Sequence, residues 1–307
     1  MTFAKCDVGG GIEICFRTLG DPSDPALVLI AGLGLDLTAW PAGIVNGLAA
    51  AGLYVISLDN RDAGDSTRVE TPPPGRLRQL AFQPRRDAYD LADMAGDTVG
   101  LLDHLGIEQA HLVGMSMGGM IAQTIAARHP ERVLSLTSIF STTGSRRVGQ
   151  PTLATIRLLA HRPARSVEEY VAGHLAVLNH IGTERYPYDA AGERTWARTA
   201  WHRAAGDCAA GVARQISAIQ KSGDRTDELR RISAPTLVIH GDGDPMVNPT
   251  GAEATASAVP GAHLVTIAGM RHHLAPDLEQ RLVQLISNHA ATDSPSVLVR
   301  QGHRSTT

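Results

Sequence analysis

The sequence lacks several features that would each have pointed to a class at once. Only three cysteines occur in 307 residues: Cys6, Cys15 and Cys208. They make no C-x-x-C pair and no metal-ligand spacing, which argues against a zinc site or a disulfide framework. No apolar run reaches the roughly 18 residues that a membrane span needs. The opening MTFAKCDVGGG carries no apolar stretch of the secretion-signal kind. Lysine and arginine (28) do not outnumber aspartate and glutamate (31), and no long block of one charge occurs. The usual marks of nucleic-acid binding and of a charged interaction tail are therefore missing. No internal repeat is visible. The expectation is a soluble, reduced, cytoplasmic protein with no nucleic acid and no membrane as partner. Nothing in the sequence speaks to oligomeric state.

What is present is apolar and punctuated. Hydrophobic residues make up 43% of the chain, enough for one large domain with an insertion. Residues 11–18 alternate apolar and polar, as a half-buried strand does. ALVLIAG (26–32), LYVISLD (53–59), AHLVG (110–114), VLSLTSIF (133–140), PTLVIHG (235–241) and AHLVTIAG (262–269) are continuous apolar runs, the pattern of strands covered on both faces. Helical patterns fall between them at 42–51, 89–105 and 119–130, the last stopped by Pro130. Strands alternating with helices predict an α/β fold with a mostly parallel central sheet flanked by helices. From about Ser141 to Asp227 no strand run appears, while Val167, Tyr170, Val171, Leu175 and Leu178 recur at helical spacing. The predicted organisation is a core formed by 1–140 and 228–290, an inserted helical cap over 141–227, and a loose polar tail at 291–307. Residues 67–86 are proline-rich, basic and read as irregular.

Gly114-Met115-Ser116-Met117-Gly118 lies between a predicted strand and a predicted helix. G-x-S-x-G in that setting is the pattern of a nucleophile elbow, a turn so tight that the residues two away from the serine must be small. It holds the serine in a strained conformation and presents its hydroxyl at a helix N-terminus, where the Met117 N–H faces any developing anion. A serine needs a base, and the base needs an orienting acid. In this architecture the order is serine, acid, histidine. Gly241-Asp242-Gly243-Asp244-Pro245 follows one strand, and Gly269-Met270-Arg271-His272-His273 follows the next. Either Asp242 or Asp244 suits the acid, and either His272 or His273 the base. His111, His240 and His263 lie in or beside strands and read as structural; His104, His129, His174 and His202 read as helix-surface or cap residues.

At these motifs the sequence resembles the α/β-hydrolase superfamily over about residues 10–290. Within it, the sequence is most similar to the bacterial esterases that include aclacinomycin methylesterase and related actinobacterial carboxylesterases. DNRDAGDST (59–67), DMAGDTVGLLDHLGI (93–107), GMSMGG (114–119), HGDGDPMVN (240–248) and GMRHH (269–273) carry the resemblance. It implies an α/β-hydrolase fold and a triad of Ser116, Asp244 and His272. It also implies an oxyanion hole formed by the backbone N–H groups of Leu33 and Met117, with Ala31-Gly32-Leu33-Gly34 standing where the family has a His-Gly-x loop. Arg271 replaces a usual glycine, a departure expected to narrow or charge the mouth of the site. The activity implied is serine carboxylic-ester hydrolysis, with no metal and no cofactor, on a small-molecule ester. A methyl ester of a bulky polyketide-like natural product, in antibiotic biosynthesis, is the substrate implied. Met115, Trp196 and Trp201 are the candidate substrate-lining residues. The arginines at 76, 78, 85 and 86 read as solvated. A lactonase, thioesterase, lipase or perhydrolase would use the same three residues, and a non-hydrolytic ligand-binding or cyclase-like protein could share the fold.

Overall fold

The apolar runs fold as neighbouring strands of one sheet. A computed structural model describes residues 3–160 and 162–291. The strands are β1 (Ala4–Asp7), β2 (Glu13–Leu19), β3 (Ala26–Ile30), β4 (Tyr54–Leu58), β5 (Ala110–Met115), β6 (Val133–Ile139), β7 (Thr236–Gly241) and β8 (His263–Ile267). Their order across the sheet is β1-β2-β4-β3-β5-β6-β7-β8. β1 and β2 run antiparallel to their neighbours, and β4 through β8 are parallel. Every residue of β3, β5 and β7 is buried, which is why these strands read as unbroken apolar runs instead of alternating ones.

The helices are α1 (Ala42–Ala50), α2 (Arg76–Leu80), α3 (Leu91–His104), α4 (Met117–Arg128), α5 (Leu153–Leu159), α6 (Val167–Ile181), α7 (Ala190–Arg203), α8 (Cys208–Ser222), α9 (Thr226–Leu229), α10 (Thr250–Ala258) and α11 (Glu279–Ala291). Side chains alternate across each strand, so β3 sends Val28 and Ile30 to one face and Leu27 and Leu29 to the other. The first pair packs with Met94 and Leu101 of α3 and Ile121 and Ile125 of α4. The second packs with Ile44 and Leu48 of α1 and Leu282 and Ile286 of α11. α3 starts in a reciprocal capping box, Asp90 accepting from the Asp93 N–H and Asp93 from the Asp90 N–H.

From β3 the chain winds one way, to β4, and after β5 it winds the other way. Loops leaving adjacent strands in opposite directions open a crevice at their carboxyl ends, where such sheets hold their ligands. The crevice here lies between the exits of β3 and β5.

Helices α5 to α9 occupy the chain between β6 and β7. Arginines seat them on the loop 59–67. Arg203 of α7 reaches Asp36 at 2.6 Å, Asp59 at 2.7 Å and Asp65 at 2.8 Å. Arg214 of α8 reaches Asp62 at 2.6 Å, and Gln215 donates to the Arg61 carbonyl at 2.9 Å. Arg225 is fully buried and donates to Gln123 and to the Met120 and Thr142 carbonyls. Burial pulls its guanidinium down to about 10, so it stays cationic at neutral pH.

Two elements depart from the expectation. β1 pairs with β2 as a four-residue edge strand too short to show a pattern. α2 is a helix of five residues inside the stretch expected to be irregular; it begins after Pro72–Pro74, with Gly75 as its extended N-cap. The tail expected at 291–307 lies, from 292 onward, outside the described residues.

Candidate active site

β5 ends at Met115 and α4 begins at Met117, leaving one residue for the turn. That residue, Ser116, has φ 56 and ψ −118, a region that L side chains rarely occupy. Its N–H donates to the Ile139 carbonyl at 2.9 Å, and its carbonyl accepts from Ser141 Oγ at 2.8 Å. Strand β6 thus clamps the turn from the side. A Cβ on Gly114 would strike the Gly118 backbone, and one on Gly118 would strike the backbone of Ile30 and Ala31. The two glycines are steric requirements of the turn.

The His272 imidazole lies between the serine and an acid. Its Nε2 is 3.0 Å from Ser116 Oγ and its Nδ1 is 2.7 Å from Asp244 Oδ2. An ionised carboxylate only accepts, so Nδ1 carries the proton and Nε2 is left to accept from the serine hydroxyl. Asp244 Oδ1 accepts from the Met246 and Val247 N–H groups at 2.8 and 2.9 Å. Burial alone would raise the Asp244 carboxyl. The nearby His272, the His240 ring nitrogen and the Val247 backbone N–H outweigh it and hold the group well below the usual carboxylate range. The Phe140 ring packs 4.4 Å from the imidazole and closes its other side.

The geometry separates the sequence alternatives. Asp242 is exposed and accepts from the Gly269 N–H, in the turn after β8, at 2.7 Å. His273 turns away from the serine, toward Glu193 at 3.4 Å. Asp244 and His272 are the pair that meets Ser116.

After β3 the chain runs close over the serine: a Cβ on Gly32 would lie 3.3 Å from Ser116 Cβ. Asn60 Nδ2 donates to the Ala31 carbonyl at 3.0 Å and holds this loop in place. The Gly34 N–H goes to Gln215 and the Leu35 N–H to the Gly32 carbonyl. The N–H groups of Leu33 and Met117 have no acceptor among the described residues.

The remaining candidates are placed differently from one another. Met115 is buried in the core below the turn. Trp196 stands at the junction of α7 and the 3₁₀ turn Leu37–Ala39, its indole N–H donating to Thr38 Oγ1 at 3.0 Å and its ring 4.7 Å from His174. Trp201 packs on Tyr170 and beside Gly206, within the helical segment itself. Arg271, expected to narrow or charge the site mouth, donates to the His180 and Gly182 carbonyls at 3.2 and 3.1 Å.

Several neighbours escaped the sequence reading. His240 reads in the sequence as a structural strand residue; its Nε2 lies 2.8 Å from the Val247 carbonyl and 3.3 Å from Asp244 Oδ2. Its place four residues before Asp244 was the only hint. Phe140 and Ser141 give no signal in the sequence, because each meets the site through elements remote along the chain.

Elsewhere, Cys15, Asp59 and Asp65 lie close enough together to hold a metal ion. The Arg203 guanidinium already stands among them, 3.7 Å from the sulfur and paired to both carboxylates, so the charge a cation would bring is already supplied. Burial, reinforced by Asp59, pushes the Cys15 thiol up to about 12, leaving it protonated and a poor ligand.

A protein-family model, the alpha/beta hydrolase fold, matches residues 25–277. Rhodomycin D methylesterase of Streptomyces peucetius is 31% identical over 293 residues, covering 88% of this chain and 92% of its own. The 3-oxoadipate enol-lactonase 2 of Acinetobacter baylyi is 26% identical over 235 residues, 76% of this chain and 77% of its own. The crystal structure of the enol-lactonase from Burkholderia xenovorans superposes with a TM-score of 0.72 at 26% identity, covering 94% of this chain and all of that one (100%).

Proposed function

The chain belongs to the α/β-hydrolase fold family and is a carboxylic ester hydrolase, and we propose that it works through an acyl-enzyme on Ser116. The observation that carries this reading is the continuous contact from Ser116 Oγ through His272 to Asp244, at 3.0 and 2.7 Å, at the tip of a strained strand-to-helix turn. A dipole chain of this kind removes the serine proton without first forming an exposed alkoxide.

In the proposed cycle His272 Nε2 takes the Ser116 proton as Oγ attacks the ester carbonyl. The carbonyl oxygen becomes an oxyanion held by the Leu33 and Met117 N–H groups. One such donor is worth about 3–4 kcal/mol of barrier. Asp244, which remains ionised, fixes the tautomer and stabilises the imidazolium. The C–O bond to the alcohol breaks and His272 returns the proton to the leaving oxygen. Water then attacks the acyl-enzyme, gives its proton to the same nitrogen, and Ser116 leaves as the free hydroxyl. No step calls for a metal or cofactor.

The proposed substrate is a methyl ester of a bulky, polyketide-like molecule, with the helical segment 141–227 as the roof that selects it. The support is the rhodomycin D methylesterase, similar over nearly its whole length. A lactone is the second reading, favoured by the two enol-lactonases among the relatives. Wild type and Ser116→Ala should be compared on short and long p-nitrophenyl esters, polycyclic methyl esters and an enol-lactone. Loss of turnover in the variant, with polycyclic methyl esters ranked first, is the expected result. Equal turnover in both proteins defeats the acyl-enzyme, and a preference for the lactone defeats the methyl ester.

A further inference from the structure

Both chain neighbours of His272 are tied to the helical roof. On one side, Arg271 Nη1 donates to the His180 and Gly182 carbonyls. These sit at the end of α6, where backbone carbonyls lack helical partners and the helix dipole is negative, so a cation fits there. On the other side, His273 Nε2 faces Glu193 Oε1 of α7 at 3.4 Å. Glu193 Oε2 meets His174 Nε2 of α6 at 2.7 Å. Burial would raise the Glu193 carboxyl, but its bonds to His174 and His273 outweigh that and bring it down to about 2. It is therefore ionised at neutral pH.

The core holds the same loop at Met270, whose N–H donates to the Ile267 carbonyl and whose carbonyl accepts from Gly243, and again at Leu274 and Ala275, which pack into it. Between these two anchors, 271–273 are fixed by side chains: Arg271 and His273 to the roof, His272 to Asp244 and Phe140. The imidazole must stay within hydrogen-bond reach of two groups that approach from opposite sides.

We propose that Arg271 is a positioning residue for the reaction. By fixing 271–273 to the end of α6 it holds the His272 ring in line between Asp244 and Ser116. The base is then fully aligned only when the roof is seated. This rests on the acyl-enzyme reading above.

The test uses the full chain, p-nitrophenyl acetate (too small to depend on the roof for binding) and a fluorophosphonate that labels the activated serine. In Arg271→Ala, kcat and the labelling rate should both fall about 10- to 100-fold while KM stays within about threefold, the pattern of a displaced catalytic group. The downfield proton resonance of the Asp244–His272 hydrogen bond, sharp in the wild type, should broaden or vanish. Arg271→Lys keeps the charge but reaches the two carbonyls less well, and should restore part of the rate and of the resonance.

A wild-type labelling rate and resonance in Arg271→Ala would overturn the proposal and leave Arg271 a simple roof contact. A rise in KM alone would overturn it in favour of substrate binding. If Arg271→Ala does not fold, Arg271→Lys decides, and a wild-type kcat there overturns the proposal. Failure of the wild type itself to label removes the acyl-enzyme reading, and the positioning role with it.

Discussion

Gly118 and Ile30 approach so closely that no side chain fits between them: a Cβ on Gly118 would collide with the Ile30 carbonyl oxygen. Ile30 ends β3, and three residues later comes the Leu33 N–H. Gly118 follows the Met117 N–H at the start of α4. The missing side chain lets the start of α4 pack directly against the end of β3, the two elements beside which the proposed oxyanion donors lie.

The strained turn predicts a trade between stability and activity. Ser116 has φ 56 and ψ −118. Such conformations cost about 1–3 kcal/mol in a non-glycine residue. Glycine adopts them freely but loses more chain entropy on folding, about 0.5–1 kcal/mol. Ser116→Gly should therefore be inactive yet more stable by roughly 1 kcal/mol in urea denaturation. A variant less stable than wild type would show that the serine side chain contributes more than the strain removes.

Arg203 pairs with three carboxylates, and the Asp59 carboxyl is wholly buried. Arg203→Ala should cost about 3–5 kcal/mol, the usual result of leaving a buried charge unpaired. The loss should depend on pH. Burial raises Asp59 above its ordinary value even with Arg203 present. A raised carboxyl binds its proton more tightly in the folded chain, so its contribution is full below the unfolded value and is lost as pH rises through the folded one. Without the arginine the folded value climbs further. The variant should be penalised less near pH 5 than near pH 8, as read by denaturation at both. An equal penalty at both would assign the loss to packing.

Glu193 titrates in the opposite sense. Its carboxyl is lowered from 4.5 to about 2. A depressed acid contributes stability above its unfolded value and loses it as pH falls through the folded one. The side chain is 24% exposed, so solvent screening reduces the contribution to about 1–2 kcal/mol. Between pH 4.5 and about 2, wild type should lose that much more stability than Glu193→Gln. Parallel denaturation curves across the window would mean that the bonds to His174 and His273 do not hold the fold together.

The central strands were legible because burial on both faces leaves an unbroken apolar run, and the turn at Ser116 because only glycine fits on either side of it. What stayed hidden depends on partners chosen in three dimensions. Two aspartates flank Gly243, and only packing shows that Asp244 faces His272 while Asp242 meets the turn after β8. Arg271 answers to backbone carbonyls 91 and 89 residues away, which carry no sequence signature. Trp196 finds Thr38 across 158 residues. β1, four residues at a sheet edge, and α2, one turn behind three prolines, are too short for periodicity to register.

The order of these groups along the chain has a consequence for synthesis. Ser116 precedes His272 by 156 residues, and helices α5 to α9 are made in between. At about 5–20 residues per second the ribosome needs roughly 8–30 s to cover that distance. Throughout it the nascent chain carries the proposed nucleophile without its proposed base. Under the proposed mechanism a partly made chain therefore lacks its hydrolytic machinery, and the proposed roof is already translated when the histidine emerges.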